Sequence, residues 1–172
     1  ISNPIGSEIE AIELLDSALR KSVMQQSVAD VPLGAFLSGG IDSSLITALM
    51  QDQSNRPIQT FTVGFEETEF DESPFAFSVS KHAKTDHHQV AVSASDALEK
   101  LPLLLWHMDE PMADSAIIPS FMVSEFASKN VKVCLSGLGG DELFGGYSRY
   151  IDQPLGAYRR FFSKFPLLTS LL

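Results

Sequence analysis

The 172-residue sequence is poor in cysteine, in positive charge and in long apolar runs. Its one cysteine, Cys134, excludes an internal disulfide and a thiolate metal cluster, which suits a reducing compartment. Set within VKVCLSG, that thiol reads as a small core residue rather than as a nucleophile. Twelve basic side chains stand against 22 acidic ones, a formal net charge of -10. An acidic chain lacks the basic footprint that broad contact with a phosphate backbone requires, so no nucleic-acid partner is expected. A small polyanion is not excluded, because backbone N–H groups and a divalent cation neutralise phosphate where net charge does not. No uncharged apolar run approaches the ~18 residues of a membrane span. The first residues, ISNPIGSEIEAIE, carry neither the basic nor the apolar region of a signal peptide. No membrane association and a cytoplasmic location are expected.

What is present is enough to build one core: 44% of the residues are hydrophobic, and the length suits one domain. Residues 8 to 26 place Ile9, Ile12, Leu15, Leu19, Val23 and Met24 near one face of a helix, with Ser7 as cap and Glu10 at the capping-box position. LGAFL then reads as a short strand, followed by SGG and a helix over DSSLITALMQDQ. The pattern recurs: IQTFTVGF as strand, DESPFAFSVSKHAK as helix with Pro74 in its first turn, and HHQVAVS as strand. Residues 95 to 107 form a helix despite Pro102, and IIPSFMVSEFASKN another, leading into a buried strand at VKVCLSG. Strands alternating with helices imply an α/β fold, a parallel sheet with helices on both faces. Trp106 and the methionines at 108, 112 and 122 read as core. Lys81 and Lys84 read as a solvated helix face. His87 and His88, being adjacent in a strand, face opposite ways and cannot chelate one metal together. Asp109-Glu110-Pro111 reads as a helix stop before a proline, with a place in the site as the alternative. Beyond Tyr150 the periodicity fades into QPLGAYRRFFSKFPLLTSLL, whose apolar residues suggest packing against a missing part of a longer chain.

Two glycine turns carry the chemistry. LSGGIDSS (37 to 44) and LSGLGGDELFGGY (135 to 147) both begin Leu-Ser-Gly just past a strand, and the second spends five of its thirteen positions on glycine. Ligands on open parallel sheets sit beyond the carboxyl ends of the strands, where strand order reverses. Gly39 and Gly40 let successive N–H groups converge on an anion, while Ser43 and Ser44 add donors at the positive end of the following helix. That arrangement suits a pyrophosphate. It is neither a Walker A loop nor GxGxxG. Asp42 would repel bare phosphate, so it makes sense there as a carboxylate for magnesium, and Asp141 can supply another.

The run Ser38-Gly39-Gly40-Ile41-Asp42-Ser43 resembles the PP-loop of the N-type ATP pyrophosphatases. LSGLGGDELFGGY resembles the second signature of the synthetase domain of the asparagine synthetase family, which also includes the beta-lactam synthetases. VPLGAFLSGGIDSS, FTVGF, HMDEPMADSAIIPS and VKVCLSGLGGDELFGGY match in order. The resemblance implies an adenine nucleotide α-hydrolase-like, Rossmann-like three-layer sandwich, with residues 1–172 forming a C-terminally truncated synthetase domain. It further implies an ATP-dependent ligase that adenylates a carboxylate, aspartate in the asparagine synthetases, and releases AMP and pyrophosphate. By position, Phe36, Ser38 and Gly39 would line the nucleotide site, and Gly40, Asp42, Ser43 and Ser44 would hold pyrophosphate and Mg2+. Val63 would meet adenine through its backbone, and Ser136 and Gly137 the AMP portion. Asp42, Asp141 and Tyr147 would be the catalytic set, with Asp141 the second magnesium carboxylate and Tyr147 near the acceptor.

The implied partners are ATP and a small carboxylate, with ammonia from a glutaminase domain that this chain does not contain; a homodimer is left open. The family's phosphate-stabilising lysines follow the stretch present here, so this piece alone is expected to be inactive. At Leu138 the pattern breaks, since asparagine synthetases place a glutamate there. Leucine can neither carry a proton nor bind ammonium, which favours another acceptor, as in beta-lactam synthetases or sugar and peptide amidotransferases. A non-catalytic nucleotide-binding module is the reading from another class. A tRNA-modifying ATPase is disfavoured by the acidity and by the lack of zinc-type cysteine pairs.

Overall fold

The computed structural model describes residues 5–65, 71–110, 114, 116–147 and 150. The chain divides into two compact units, residues 1–137 and 138–172. In the first, four strands form one parallel sheet: β1 (Leu33–Phe36), β2 (Gln59–Phe65), β3 (Asp86–Val92) and β4 (Val133–Leu135). Their order across the sheet is β3-β2-β1-β4. Among its described residues the unit has five helices: α1 (Glu8–Gln26), α2 (Ile41–Asp52), α3 (Ser73–Ala83), α4 (Ala94–Met108) and α5 (Ile117–Ala127). The described part of the second unit contains α6 (Gly140–Phe144).

Local signals start and stop these elements as the physics of capping requires. Ser7 Oγ accepts from Glu10 N at 3.2 Å, but the Glu10 carboxylate reaches back to Gly6 N at 2.9 Å, one residue upstream of where a reciprocal capping box would place it. The full box forms at α4, where Ser93 and Asp96 each accept from the other's backbone N–H, and the helix then runs through Pro102. The α3 helix opens with Pro74 and ends at Lys84 in the left-handed region (φ 59°), which turns the chain into β3. Asp109 does the same for α4 (φ 57°), so the expected stop falls there; Pro111 lies outside the described residues.

Strand alternation sends neighbours to opposite faces. Ala35 joins Val23, Leu49, Met50 and Ile58 on the face covered by α1 and α2. Phe36 packs with Phe61, Val123, Phe126, Ala127 and Val131 on the α5 face. Helices therefore cover both faces of the sheet, in a three-layer, Rossmann-like α/β architecture. Phe61 is fully buried, and a ring so placed stabilises the fold by about 1.5–3 kcal/mol.

Burial departs from the sequence pattern in three places. Of the apolar α1 face only Val23 is buried; Ile9, Ile12 and Leu15 are exposed, because the helix meets α2 through its C-terminal half. Trp106 is 74% exposed rather than core, whereas Met108 is half-buried and Met122 buried. The strand at VKVCLSG shrinks to three residues at the edge of the described sheet, with Val133 exposed. Met112 and the tail from 151 to 172 lie outside the described residues. Lys81 and Lys84 are exposed as expected, with Lys81 Nζ lying 4.5 Å from the centre of the Phe77 ring. His87 and His88 diverge: His88 stacks on Phe61, while His87 Nδ1 sits 2.9 Å from Thr60 Oγ1. No described helix is long and apolar enough to cross a membrane.

Candidate functional site

Strand order reverses between β1 and β4: from β1 the chain builds outward to β2 and β3, then returns to β4 on the other side of β1. In a parallel sheet the crevice at such a point, beyond the carboxyl ends, is where ligands bind. The turn at Ser38 leaves β1 there, and Ser136-Gly137 leaves β4 beside it, with Ala35 in register with Leu135. A cavity of about 970 Å³ lies elsewhere, lined by Arg20, Lys21, Leu33, Met50, Arg56 and Gln59 at the amino ends of β1 and β2. The N–H groups and glycines gathered at the carboxyl end make that end the candidate site.

The first turn is built tightly. Gly39 has φ +88°, and a Cβ there would lie 2.5 Å from Phe75 Cβ and 2.6 Å from Ala76 N at the start of α3. Only glycine tolerates both the dihedral and the contact. Gly40 caps α2 without a side-chain bond, so the N–H groups of Ile41, Asp42 and Ser43 have no intrahelical acceptor and face the positive end of the helix dipole. Hydroxyls brace the loop: Ser38 Oγ and Ser43 Oγ are 2.9 Å apart, Ser43 Oγ accepts from Ser38 N at 3.2 Å, and Ser38 Oγ accepts from Gly40 N at 3.3 Å. Ser44 Oγ is buried without a hydrogen-bond partner among the described residues. The Thr62 hydroxyl donates to the Leu37 carbonyl and ties β2 to the residue before the loop.

Gly137 closes the crevice from the β4 side. A Cβ on it would lie 2.7 Å from Ser43 N and 2.9 Å from Asp42 Cβ, so the second Leu-Ser-Gly turn rests directly on the first turn of α2. Ser38, Gly39, Gly40, Asp42, Ser43, Ser44 and Gly137 thus belong to one constellation, with Ser136 exposed next to it. Val63 is half-buried in β2 opposite Val90, and its backbone belongs to the ladder. Phe36 packs its ring into the α5-side core, and its backbone is in register with Phe61 at the carboxyl end of β1.

In the second unit, Asp141 sits in the first turn of α6, and Gly146 N donates to its carbonyl at 3.0 Å. The Tyr147 hydroxyl donates to Glu142 Oε1 at 2.7 Å, and its ring packs edge-on against Tyr150 at 5.5 Å. Gly139 and Gly145 hold left-handed conformations at the two ends of α6. Leu138 is 92% exposed.

The donor set fits a magnesium-nucleotide. Among the described residues no cluster of three His, Cys, Asp or Glu is placed to hold a metal. The carboxylate of half-buried Asp42 has no hydrogen bond or ion pair among the described residues. One carboxylate beside an anion cradle matches magnesium, which takes one or two carboxylates and completes its shell with water and phosphate oxygens. The orphaned Ser44 hydroxyl and the three N–H groups without an intrahelical acceptor suit the phosphates themselves. Cys134 is half-buried against the α5-side cluster, and burial pushes its thiol up to about 11, which makes it a poor nucleophile.

One residue with a part in this geometry escaped the sequence reading. Asp71 Oδ1 accepts from Ser73 N at 3.0 Å and from Phe65 N at 3.4 Å, and Oδ2 from Ser73 Oγ at 3.0 Å. These bonds hold its carboxyl below the usual range, Ser73 contributing most. The signal was the spacing of Asp71 and Ser73 before Pro74, a helix start that also reaches back to the strand.

Comparison with known proteins bears on the same stretch. The family model described as asparagine synthase matches residues 14–171. A putative asparagine synthetase [glutamine-hydrolyzing] of Mycobacterium tuberculosis is 46% identical over 141 residues, which cover 82% of this chain and 21% of the relative. Asparagine synthetase [glutamine-hydrolyzing] 1 of Bacillus subtilis is 39% identical over 148 residues, covering 86% and 23%. The asparagine synthetase [glutamine-hydrolyzing] of Bos taurus is 30% identical over 163 residues, covering 87% and 28%. The chain spans about a fifth to a quarter of the length of these bacterial relatives.

Proposed function

The chain belongs to the asparagine synthase family, and from that membership we propose that it is part of the synthetase domain of a cytoplasmic, ATP-dependent, amide-forming ligase. Both units are assigned to that domain, and the ammonia is assigned to glutamine hydrolysis elsewhere in the whole protein. In the proposed reaction a substrate carboxylate oxygen attacks the α-phosphorus of ATP, and the bond to pyrophosphate breaks. Ammonia or an amine then attacks the acyl carbon, and AMP leaves with the bonding electrons. The observation that supports this most is Gly137 seated on Asp42 and Ser43, which gives the cradle two walls from two strands.

Each residue's role follows from its place. The N–H groups of Ile41, Asp42 and Ser43, presented by the turn at Gly40, hold the pyrophosphate with the Ser43 and Ser44 hydroxyls and take up charge as it departs. Ser38 and Gly39 shape that cradle. Asp42 is the magnesium carboxylate of the first unit; bound magnesium would supply further charge neutralisation. Ser136 and Gly137 meet the AMP portion, and the backbones of Phe36 and Val63 line the base and sugar. Within the second unit, the motif supports Asp141 as a magnesium carboxylate and Tyr147 as a contact of the acceptor. Titration of Mg2+ and ATP against Asp42→Asn tests the assignment: ATP affinity in magnesium should fall about tenfold or more, as expected for loss of a charged ligand. Unchanged affinity would remove Asp42 from the site.

Leu138 favours a second reading in which the same adenylation serves an acceptor other than aspartate. An exposed leucine offers neither charge nor proton to an aspartyl intermediate. Carboxylate-dependent exchange of pyrophosphate into ATP, measured with the full-length protein across candidate acids, separates the two. Aspartate as the best substrate supports the first reading, and another acid the second.

A further inference from the structure

The Asp71 carboxylate makes more bonds than a helix start needs. A capping side chain ordinarily serves its own helix alone. Asp71 serves α3 through Ser73 N and Ser73 Oγ, and it also takes Phe65 N at the end of β2. The strand leaves no slack there: a Cβ on Gly64 would lie 2.9 Å from Asp71 Oδ1 and 3.0 Å from Ser73 Oγ. Ser73 itself is 5% exposed. Two and three residues further on, Phe75 and Ala76 press against Gly39, the residue with φ +88° on which the anion loop turns. A continuous set of contacts therefore runs from the end of β2, through Asp71 and Ser73, to the back wall of that loop.

We propose that Asp71 is a positioning residue for the nucleotide site, holding β2 and the first turn of α3 at the spacing that keeps Gly39 and Gly40 in their anion-binding conformation. The inference rests on the nucleotide reading of the loop. Asp71 touches no ligand in this account and acts through Ser73, Phe75 and Ala76. A loop whose wall can retreat samples more conformations, and anion affinity falls by the fraction of time it is misplaced.

The test separates this from plain helix capping by comparing two caps in the full-length protein. Asp96→Ala removes the carboxylate of the α4 capping box, on a helix that packs against α5. Asp71→Ala and Asp96→Ala should both lower the thermal midpoint. Only Asp71→Ala should weaken magnesium-ATP binding, by about tenfold, and speed amide exchange at residues 39–41 without nucleotide. Asp71→Asn keeps an acceptor oxygen for Ser73 N and Phe65 N and should recover most of both signals. Equal ATP affinity and equal exchange in Asp71→Ala and Asp96→Ala would reduce Asp71 to a cap and overturn the proposal. Failure of the unmodified protein to bind magnesium-ATP would sink the nucleotide reading instead, and the nucleotide-free exchange would still decide whether Asp71 holds the loop.

Discussion

Gly39 and Gly139 both hold a positive φ, +88° and +97°, yet they answer to different constraints. Gly39 is walled in by Phe75 and Ala76, so it is required both by its dihedral and by the approach of another helix. A Cβ on Gly139 would meet no described atom within 4 Å, so its glycine is required by the dihedral alone. The difference teaches that a glycine-rich signature can mix two kinds of necessity. In LSGGIDSS the glycine is part of the packing of the first unit. In the Gly139 turn it is a local device that starts a five-residue helix.

That contrast makes ordered predictions. Gly39→Ala should be the most damaging, costing about 1–2 kcal/mol for the left-handed alanine and about 1–3 kcal/mol more for overpacking against a backbone that cannot step aside. Chemical denaturation would report the loss, and magnesium-ATP affinity should collapse with it. Gly137→Ala comes next. It has no positive φ to pay for, so only overpacking against Asp42 and Ser43 remains, about 1–3 kcal/mol, with ATP affinity lowered because the first turn of α2 must move. Gly139→Ala should cost only the dihedral term, about 1 kcal/mol, and Gly139→Asn less still. A Gly139→Ala loss as large as that of Gly39→Ala would break the comparison.

The smallest effect distinguishes the units by pH. All four histidines lie before residue 138. Burial, with a smaller contribution from His88, keeps the His87 imidazole below its usual 6.5. Its folded value is depressed, so the unfolded chain takes up the proton first; the stabilisation is complete above 6.5 and is lost as pH falls below it. The thermal midpoint of the first unit should therefore drop on acidification from about pH 7 to 5, and His87→Gln should flatten that slope. The depressed carboxyls of Asp71 and Asp96 act in a separate window, contributing above the ordinary 3.8 and failing as pH falls toward their lower folded values.

Much of this was legible along the chain. Residues 8 to 26 formed the expected helix end to end, and the first three strands appeared within about two residues of the Thr, Val and Phe runs that announced them. Burial was less legible. Periodicity showed which face of α1 is apolar, but only neighbours show whether anything covers it, and the N-terminal half remains exposed. Trp106 failed for the same reason: a large ring suggests a core, yet α4 turns it to solvent. At the site, the two glycine turns declared themselves, whereas Asp71 did not, because its second partner, Phe65, lies on the preceding strand rather than in its own turn.

Short-range chemistry settles the alternation of strand and helix, the positive-φ glycines and the donors without an intrahelical acceptor at the start of α2, since each depends on a few consecutive residues. Strand order, the seating of Gly137 on Asp42 and Ser43, and the wall that Phe75 and Ala76 set behind Gly39 depend on segments far apart in the chain. Those contacts exist only once the sheet has closed around β1, because only packing brings such segments within van der Waals reach.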